Sequence, residues 1–235
     1  MSIAERLPHW LSRVGVFDLE TTGVDVRTDR IVTAHVGVLD RHGRENAARD
    51  WLADPGIPIP DGASAVHGVT TEHARAHGRP AAEVVAEVSR ALSALFAQGL
   101  PIVAYNASYD FSLLAHEARR HGVPALHTPQ PVIDPLVIDK NYDRYRRGRR
   151  TLTVVADHYA VPLDDAHEAS ADAVAAGRVA LALAQRFLLP QTAQELHTRQ
   201  IGWARDQAAS LTEYFVQIGR LDAEETLDGS WPIRG

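Results

Sequence analysis

The chain has 235 residues, with 24 basic against 30 acidic side chains, a net charge of −6 and 45% hydrophobic residues. This balance is typical of a globular protein with a buried core, and it excludes a disordered chain, a collagen-like repeat and a wholly basic nucleic-acid coat. The absence of cysteine excludes disulfides, thiolate metal sites and cysteine nucleophiles. No apolar leader or membrane-spanning segment is evident, so we expect a cytoplasmic protein without a membrane partner.

The first half of the chain predicts three strands joined by short links. Apolar residues fall in bursts over 13–19 and 30–40, a weaker strand covers 46–53, and a turn signal at 40–43 separates the last two. Such spacing favours an antiparallel meander. Residues 54–80 are rich in proline and glycine and predict irregular structure.

The later elements alternate between helix and strand, which favours a parallel half of the sheet beside the antiparallel half. Helical spacing of apolar residues predicts helices over 81–97 and 109–121, and short apolar runs predict strands over 102–104 and 131–138. Two further helices are expected over 151–160 and 168–188. The fold class is therefore α/β, with a mixed sheet flanked by helices.

A long amphipathic helix is predicted over 190–220, because its apolar residues are spaced 3, 4, 3, 4 and 3 apart from Ile201 to Ile218. Three interpretations remain open: the helix caps the preceding domain, forms a homodimer, or contacts substrate or a larger assembly. We expect a domain over 1–189, followed by a helical extension over 190–235 whose acidic tail, 221–235, lies on the surface.

Four acidic residues and one histidine are candidates for chemistry. Asp18 and Glu20 are two apart in a strand, so both carboxylates face one side, where a hard divalent cation would relieve their repulsion. Asp110 begins a helix, and Asp172 lies on the alanine-rich face of another, five residues after His167. Taken alone, each of these is more often a surface acid, a helix-terminal charge or a surface histidine.

Taken together in this order, the motifs carry a family resemblance. The segments FDLETTG (17–23), YNASYDF (105–111) and HEASADA (167–173) resemble those of the DEDDh branch of 3′–5′ exonucleases, the DnaQ-like or polymerase III epsilon-subunit type. The resemblance covers about residues 12–188. It extends to the segment VHGVT at 66–70, although Tyr105 stands where many members have histidine.

The resemblance implies a ribonuclease-H-like fold with a five-stranded sheet and a site for two divalent ions, Mg²⁺ or Mn²⁺. By this resemblance Asp18, Glu20, Asp110 and Asp172 would be metal ligands. His167 would be the general base, and the product would be a 5′-mononucleotide. The residues expected to contact substrate are Leu19, Thr21, Thr22, Gly23, Val24, Val66, His67, Asn106 and Tyr109.

The polymer and its partners are less defined. A DNA strand with a free 3′ end is the first expectation, and RNA 3′ ends are the alternative. A non-catalytic nucleic-acid-binding subunit is the second alternative, opposed by the presence of all five catalytic positions. The sequence leaves open whether a polymerase or a sliding clamp is a partner.

A basic segment, KNYDRYRRGRR at 140–150, has six positive charges and one negative charge. Its arginines, Arg146 and Arg147 among them, would contact phosphates, and its tyrosines would stack on unpaired bases. One interpretation is a flap that guides a single strand to the acidic site. The other is a solvated loop without a binding role.

Overall fold

The computed structural model describes residues 7–126, 128–163 and 166–234. After a 3-10 turn at His9–Ser12, the strands are β1 Arg13–Thr21, β2 Ile31–Asp40, β3 Glu45–Asp54, β4 Arg79–Pro80, β5 Ile102–Val103 and β6 Val132–Ile133. The helices are α1 Asp61–His67, α2 Thr71–His77, α3 Ala81–Ala97, α4 Ala107–His121, α5 Pro135–Tyr142, α6 Leu152–His158, α7 Ala169–Arg186 and α8 Ala193–Gln217.

The strands form one mixed sheet in the order β4-β3-β2-β1-β5-β6. β1, β2 and β3 are antiparallel neighbours, whereas β5 and β6 continue the sheet parallel to β1. This confirms the predicted antiparallel and parallel halves. The two-residue β4 adds a sixth strand, parallel to β3, that the sequence analysis does not predict. Because β1, β5 and β6 are parallel, their carboxyl ends lie at one edge of the sheet.

The side chains of β1 alternate between two cores. Phe17 and Leu19 pack on one face with residues of α3 and α4. Val14 and Val16 pack on the other face with the alanine-rich surface of α7. Asp18 continues this second series, so the sheet directs its carboxylate to the side on which α7 lies.

Two sequence predictions about local structure are wrong. The strand expected over 131–138 ends at Ile133, because Asp134 accepts a hydrogen bond from the N–H of Leu136 and caps α5, with Pro135 in the first turn. The irregular segment 54–80 contains α1, α2 and β4. Each of these two helices has seven residues and ends at a glycine, which gives little periodic signal.

α8 packs on the outer edge of the sheet, beside β6 and α5. The side-chain amide of Gln200 accepts a hydrogen bond from the N–H of Asp134 (2.7 Å) and donates one to the carbonyl of Val132 (3.0 Å). His197 Nδ1 accepts a bond from the N–H of Val132 (3.1 Å). This agrees with a capping role for the helix, while self-association and binding to an assembly stay predictions.

The surface position expected for the C-terminal tail is wrong for its last residues. Trp231 is 7% exposed, and its ring centroid lies 5.0 Å from that of His197. Arg234 donates hydrogen bonds from its backbone N–H to Ser112 Oγ (2.8 Å) and from its guanidinium to Ser108 Oγ (2.7 Å). The tail therefore returns to the first turns of α4.

The described helices include none whose length and hydropathy would allow it to cross a membrane.

The close approach of α7 to the sheet at Gly177 gives a test of the packing. A Cβ atom at Gly177 would lie 2.5 Å from Leu39 Cδ1 and 2.6 Å from Val16 Cγ1, whereas a Cβ at Gly202 in α8 would meet nothing within 4 Å. We expect Gly177→Ala to lower the free energy of unfolding by about 1–2 kcal/mol through overpacking. Gly202→Ala should raise it by up to about 1 kcal/mol through helix propensity. Urea unfolding of both variants checks the difference, and equal effects would contradict this packing.

Candidate active site

The carboxyl end of β1 presents two acidic side chains on the same face. Asp18 pairs across the sheet with His35, and Glu20 pairs with Thr33, so both carboxylates project toward α7. The intervening Leu19 is 5% exposed and its side chain belongs to the opposite core. The structure therefore leaves little of the Leu19 side chain for the substrate contact expected of it.

Asp110 reaches the same site from the first turn of α4. It is 2% exposed, and its Oδ1 accepts a hydrogen bond from the backbone N–H of Leu19 at 3.1 Å. This bond joins the start of α4 to the strand between the two carboxylates of β1. The helix N-terminus also favours a negative charge at Asp110.

The start of α4 is held by a residue that the sequence analysis does not single out. Asn106, at the N-cap, has a left-handed backbone (φ 59°) and no side-chain capping bond. Instead, the buried carboxylate of Asp134 accepts hydrogen bonds from the N–H groups of Asn106 (3.0 Å) and Ala107 (2.9 Å). The Asp-Pro pair at 134–135 is the available signal, since it marks a helix start, but it does not reveal this second cap.

α7 supplies Asp172, and the residues before it supply His167. Ligand atoms of Glu20, His167 and Asp172 all lie within 4.8 Å of one another. The backbone N–H of His167 faces Asp172 and partly offsets the rise in the pKa of that carboxyl. His167 is exposed and its φ is +74°, a left-handed conformation that is uncommon outside glycine and asparagine. The structure thus brings together all five residues predicted to be catalytic.

The pKa values of all four carboxylates are raised, first by burial. Burial raises the pKa of Asp18 well above its usual range, and the charges of Asp110, Glu20 and Asp172 raise it further. Burial and then Asp172 raise the pKa of Glu20 to about 8. The pKa values of Asp110 and Asp172 are raised as well, chiefly by burial. Ionisation of these carboxyls therefore destabilises the folded protein, and a bound cation would offset this destabilisation.

The donor set fits hard divalent ions such as Mg²⁺ or Mn²⁺. Oδ1 of Asp172 is buried and has no hydrogen-bond partner among the described residues, so this oxygen is available as a metal ligand. Carboxylate oxygens from β1, α4 and α7 are the ligands that such ions prefer.

The turn after β1 is tied to α4 by a small hydrogen-bond network. The hydroxyl of Tyr109 lies 2.6 Å from Thr21 Oγ1 and donates to the carbonyl of Gly23 at 2.5 Å. Thr22 Oγ1 donates to Asp29 within the same turn, so its side chain is engaged locally. Val24 is 90% exposed at the tip. Of the predicted contacts in this turn, Gly23 and Val24 are the most open.

A cavity of about 490 Å³ adjoins Glu20 and His167 and is also lined by His67 and Trp51. Nδ1 of His67 accepts a hydrogen bond from the N–H of Val69, while its Nε2 is buried without a partner among the described residues. Burial lowers the pKa of His67, which favours the neutral ring. Val66, one residue earlier in α1, is 51% exposed.

The basic segment is more ordered than either interpretation of the sequence expects. Arg146 and Arg150 form ion pairs with Asp139, whose side chain is fully buried. The guanidinium of Arg150 also donates to the carbonyl of Asp143 (2.7 Å). Arg146 is therefore largely committed to an internal ion pair, whereas Arg147 is exposed.

Comparison with known proteins identifies the family. Residues 16–180 match the family model RNase_T, described as an exonuclease. The chain is 31% identical over 165 residues to DNA polymerase III PolC-type of Streptococcus agalactiae serotype III, and 32% identical over 166 residues to that of Streptococcus suis. Each match covers 70% of this chain and 10% of the relative, so the chain spans about a tenth of the length of these curated relatives.

Solved structures share the fold. Exonuclease I of E. coli in complex with a dA16 oligonucleotide gives a TM-score of 0.62 at 19% identity, covering 83% of this chain and 44% of that one. The nuclease domain of 3′hExo, a DEDDh family member bound to rAMP, gives 0.58 at 15% identity, covering 74% and 92%. With the family model matched across β1, α4 and most of α7, the chain belongs to the exonuclease family, in its DEDDh, DnaQ-like branch.

Proposed function

We propose that the protein is a metal-dependent 3′–5′ exonuclease that hydrolyses single-stranded or frayed DNA 3′ ends to 5′-mononucleotides. One observation carries the proposal. Three separate elements bring four mutually repelling carboxylates together, with His167 beside two of them and a cavity adjoining the cluster. A purely structural acid cluster would not need this arrangement, because each unpaired buried carboxylate destabilises the fold.

His167 is suited to accept the proton of the attacking water. It is exposed, and it lies beside Glu20 and Asp172. The free nitrogen of a neutral imidazole can accept a proton, and histidine is the side chain most often used as a general base. The geometry holds the imidazole at the edge of the cluster, where a water and a scissile phosphate would meet.

The metal ions would be held by Asp18, Glu20, Asp110 and Asp172. When bound, two divalent ions would supply positive charge to the phosphate and lower the pKa of water. The chain's own contribution is to keep the four carboxylates in place against their mutual repulsion. The hydrogen bond from Leu19 to Asp110 and the double cap by Asp134 serve this purpose.

The terminal nucleotide would lie between the turn at 21–24, the cavity beside His67 and the start of α4. The exposed Val24 and Val66 would contact the base or sugar, and the buried Nε2 of His67 would offer a polar contact inside the cavity. Asn106 and Tyr109 would position the adjoining backbone from α4. Arg147 is the more available of the two predicted phosphate-binding arginines.

RNA is the second candidate substrate. The solved neighbours include exonuclease I with DNA oligonucleotides and 3′hExo with rAMP, so a deoxyribonucleotide and a ribonucleotide ligand are both represented among proteins of this fold. A polymerase partner is a further proposal, supported by the name of the PolC-type relatives. Discrimination between DNA and RNA depends on contacts to the 2′ position.

The first prediction concerns direction and substrate. Single-stranded DNA and RNA of one sequence, labelled at the 5′ end, should be shortened stepwise with Mg²⁺ or Mn²⁺, the DNA faster, and a blocked 3′ end should prevent this. EDTA and Asp18→Asn should each abolish the ladder, since both remove metal binding. Asp157→Asn, an exposed acid of α6, is the matched control and should leave the ladder unchanged. Intact wild-type substrate in every metal lane would contradict the proposal.

A second prediction concerns the general base. His167→Asn keeps a residue that tolerates the left-handed backbone, but it removes the imidazole. We expect kcat to fall at least about 100-fold, because general-base catalysis contributes on that scale. His42→Asn, at an exposed turn, is the control and should keep wild-type kcat. A His167→Asn enzyme within tenfold of wild type would assign the base elsewhere.

A third prediction uses the raised pKa of Glu20. In EDTA, Glu20 keeps its proton up to about pH 8 in the folded protein, whereas in the unfolded chain it releases the proton near pH 4.5. The free energy of unfolding therefore falls as pH rises between these two values. Glu20→Gln removes this loss. After allowance for solvent screening, we expect the free energy of unfolding of Glu20→Gln to exceed that of wild type by about 1 kcal/mol at pH 8, or roughly 2–4 °C in Tm. At pH 5 we expect little difference.

The control for this measurement is Glu87, whose pKa its hydrogen bonds to Arg79 and Trp51 lower to about 2. Its contribution is present above pH 4.5 and is lost as pH falls, so Glu87→Gln should lower Tm at pH 8. Thermal melts of both variants at the two pH values check the opposite signs. A Glu20→Gln protein no more stable than wild type at pH 8 would argue against a repelling carboxylate cluster.

A further inference from the structure

A groove runs between α5, α8 and the returning C-terminal tail. It consists of a cavity of about 360 Å³ that reaches Asn106 and Ser108, and an adjoining cavity of about 480 Å³ that reaches Arg144 and Tyr214. Both are lined by Lys140, Gln207 and Leu211, so they form one continuous depression. We call this the α5–α8 groove.

The inner end of the groove lies beside the candidate active site. Asn106 is the N-cap of α4, the helix that carries Asp110, and Ser108 lies in its first turn. Asp134, also on the wall, follows β6. β6 and β1 are separated only by β5, which corresponds to about 10 Å at ordinary strand spacing. A strand leaving the active site over Asn106 would therefore enter the groove directly.

Two cations, Lys140 and Arg234, face the groove, and among the described residues neither forms an ion pair within 4.0 Å. Asp134 and Asp139 lie near enough to attract Lys140, whereas Arg150 and Arg234 repel it. The Arg150 guanidinium is engaged with Asp139, whereas Arg144 is exposed on the outer wall. An anion placed between Lys140 and Arg234 would relieve their repulsion.

The acidic groups that face the groove are engaged by other donors. Asp134 is buried and accepts hydrogen bonds from three backbone N–H groups and from the Trp231 indole. Asp206 is an exposed rim residue paired with Arg205, and Asp228 accepts from the N–H of Ser230 at the other rim.

The outer part of the groove offers an aromatic surface. Tyr214 is 53% exposed and Leu211 is 41% exposed, next to the basic side chain of Arg144. Exposed aromatic side chains beside cations are the common feature of surfaces that hold unpaired bases without sequence preference. A duplex would hide its base faces from such a surface, so the combination favours a single strand.

We propose that the α5–α8 groove binds the single-stranded segment of the substrate on the 5′ side of the terminal nucleotide, with Lys140 and Arg234 contacting backbone phosphates and Tyr214 stacking on a base. This inference rests on the proposed function. It also gives the C-terminal tail a role, since Arg234 reaches the groove from the tail while bonded to Ser108 of α4.

The test compares a long and a short substrate. We would measure kcat/KM for a twelve-nucleotide oligothymidylate and for the p-nitrophenyl ester of thymidine 5′-monophosphate, which is too short to enter the groove. In Lys140→Gln and Tyr214→Ala, the ratio of kcat/KM for the long substrate to kcat/KM for the short one should fall at least about fivefold. Arg90→Gln removes an exposed cation from α3 and is the matched control, whose ratio should stay within twofold of wild type.

A binding measurement makes the result independent of turnover. Fluorescence anisotropy of the labelled twelve-nucleotide strand in EDTA should show at least a fivefold higher Kd for Lys140→Gln. The slope of log Kd against log salt should decrease by about 0.7, the value for one phosphate contact on a single strand. Arg234→Gln should act in the same direction, and thermal melts verify that each variant is folded.

The outcomes separate the two proposals. A wild-type protein that binds the strand through Lys140 but hydrolyses neither substrate would contradict the proposed function and retain the groove. The groove proposal would be overturned if the wild-type enzyme hydrolyses both substrates and if Lys140→Gln and Tyr214→Ala have the wild-type kcat/KM ratio, Kd and salt slope. Equal losses in Arg90→Gln and Lys140→Gln would also overturn it, because they would reflect net charge alone.

Discussion

Four carboxylates that repel one another can share a site only if other interactions fix the elements that carry them. In this protein burial raises the pKa values of Asp18 and Glu20, and the neighbouring carboxylates raise them further. The opposing interactions are the long ladders that join β1 to β2 and β2 to β3, the packing of α7 across them, and the cap on α4. The carboxylate cluster thus lowers the stability of the fold at the edge of the sheet where chemistry would occur, and the packing of the two cores below it compensates for this loss.

Asp134 is the point at which the elements around this edge meet. Its carboxylate accepts from the starts of α4 and α5 and from the indole of Trp231, while its own N–H donates to Gln200 of α8. Hydrogen bonds from this many donors compensate for the desolvation of the buried carboxylate, and they form only when each donor is held in a defined position. The position of Asp110 therefore depends on residues that are distant in sequence and that never contact substrate.

The sequence predicts the parts of this arrangement that depend on local pattern. The helix over 81–97 has the bounds expected from its apolar spacing, and the mixed sheet follows from the order of strands and helices. The five candidate catalytic residues are identified by motif, because each motif is a short segment with a fixed spacing. The run at 131–138 is ambiguous, since a short apolar segment fits a buried strand or a helix equally well.

Long-range partners are beyond such reasoning. Nothing in the segment 140–150 indicates that Asp139 removes Arg146 and Arg150 from the surface, and nothing in the tail indicates that Trp231 returns to the core. Both depend on contacts between segments that a periodicity analysis treats separately. For the same reason the α5–α8 groove, built by three segments, becomes visible only in three dimensions.

The contact between Gln200 and β6 has a consequence for the behaviour of shortened chains. By bonding to the N–H of Asp134 and the carbonyl of Val132, this one amide occupies backbone groups that would otherwise form an open strand edge. Unpaired edges recruit strands from other molecules, and proteins commonly cover them. A chain cut before α8 would expose this edge together with the apolar residues beneath it. Its association in solution would then report aggregation by strand addition and would say nothing about whether the intact helix forms a dimer.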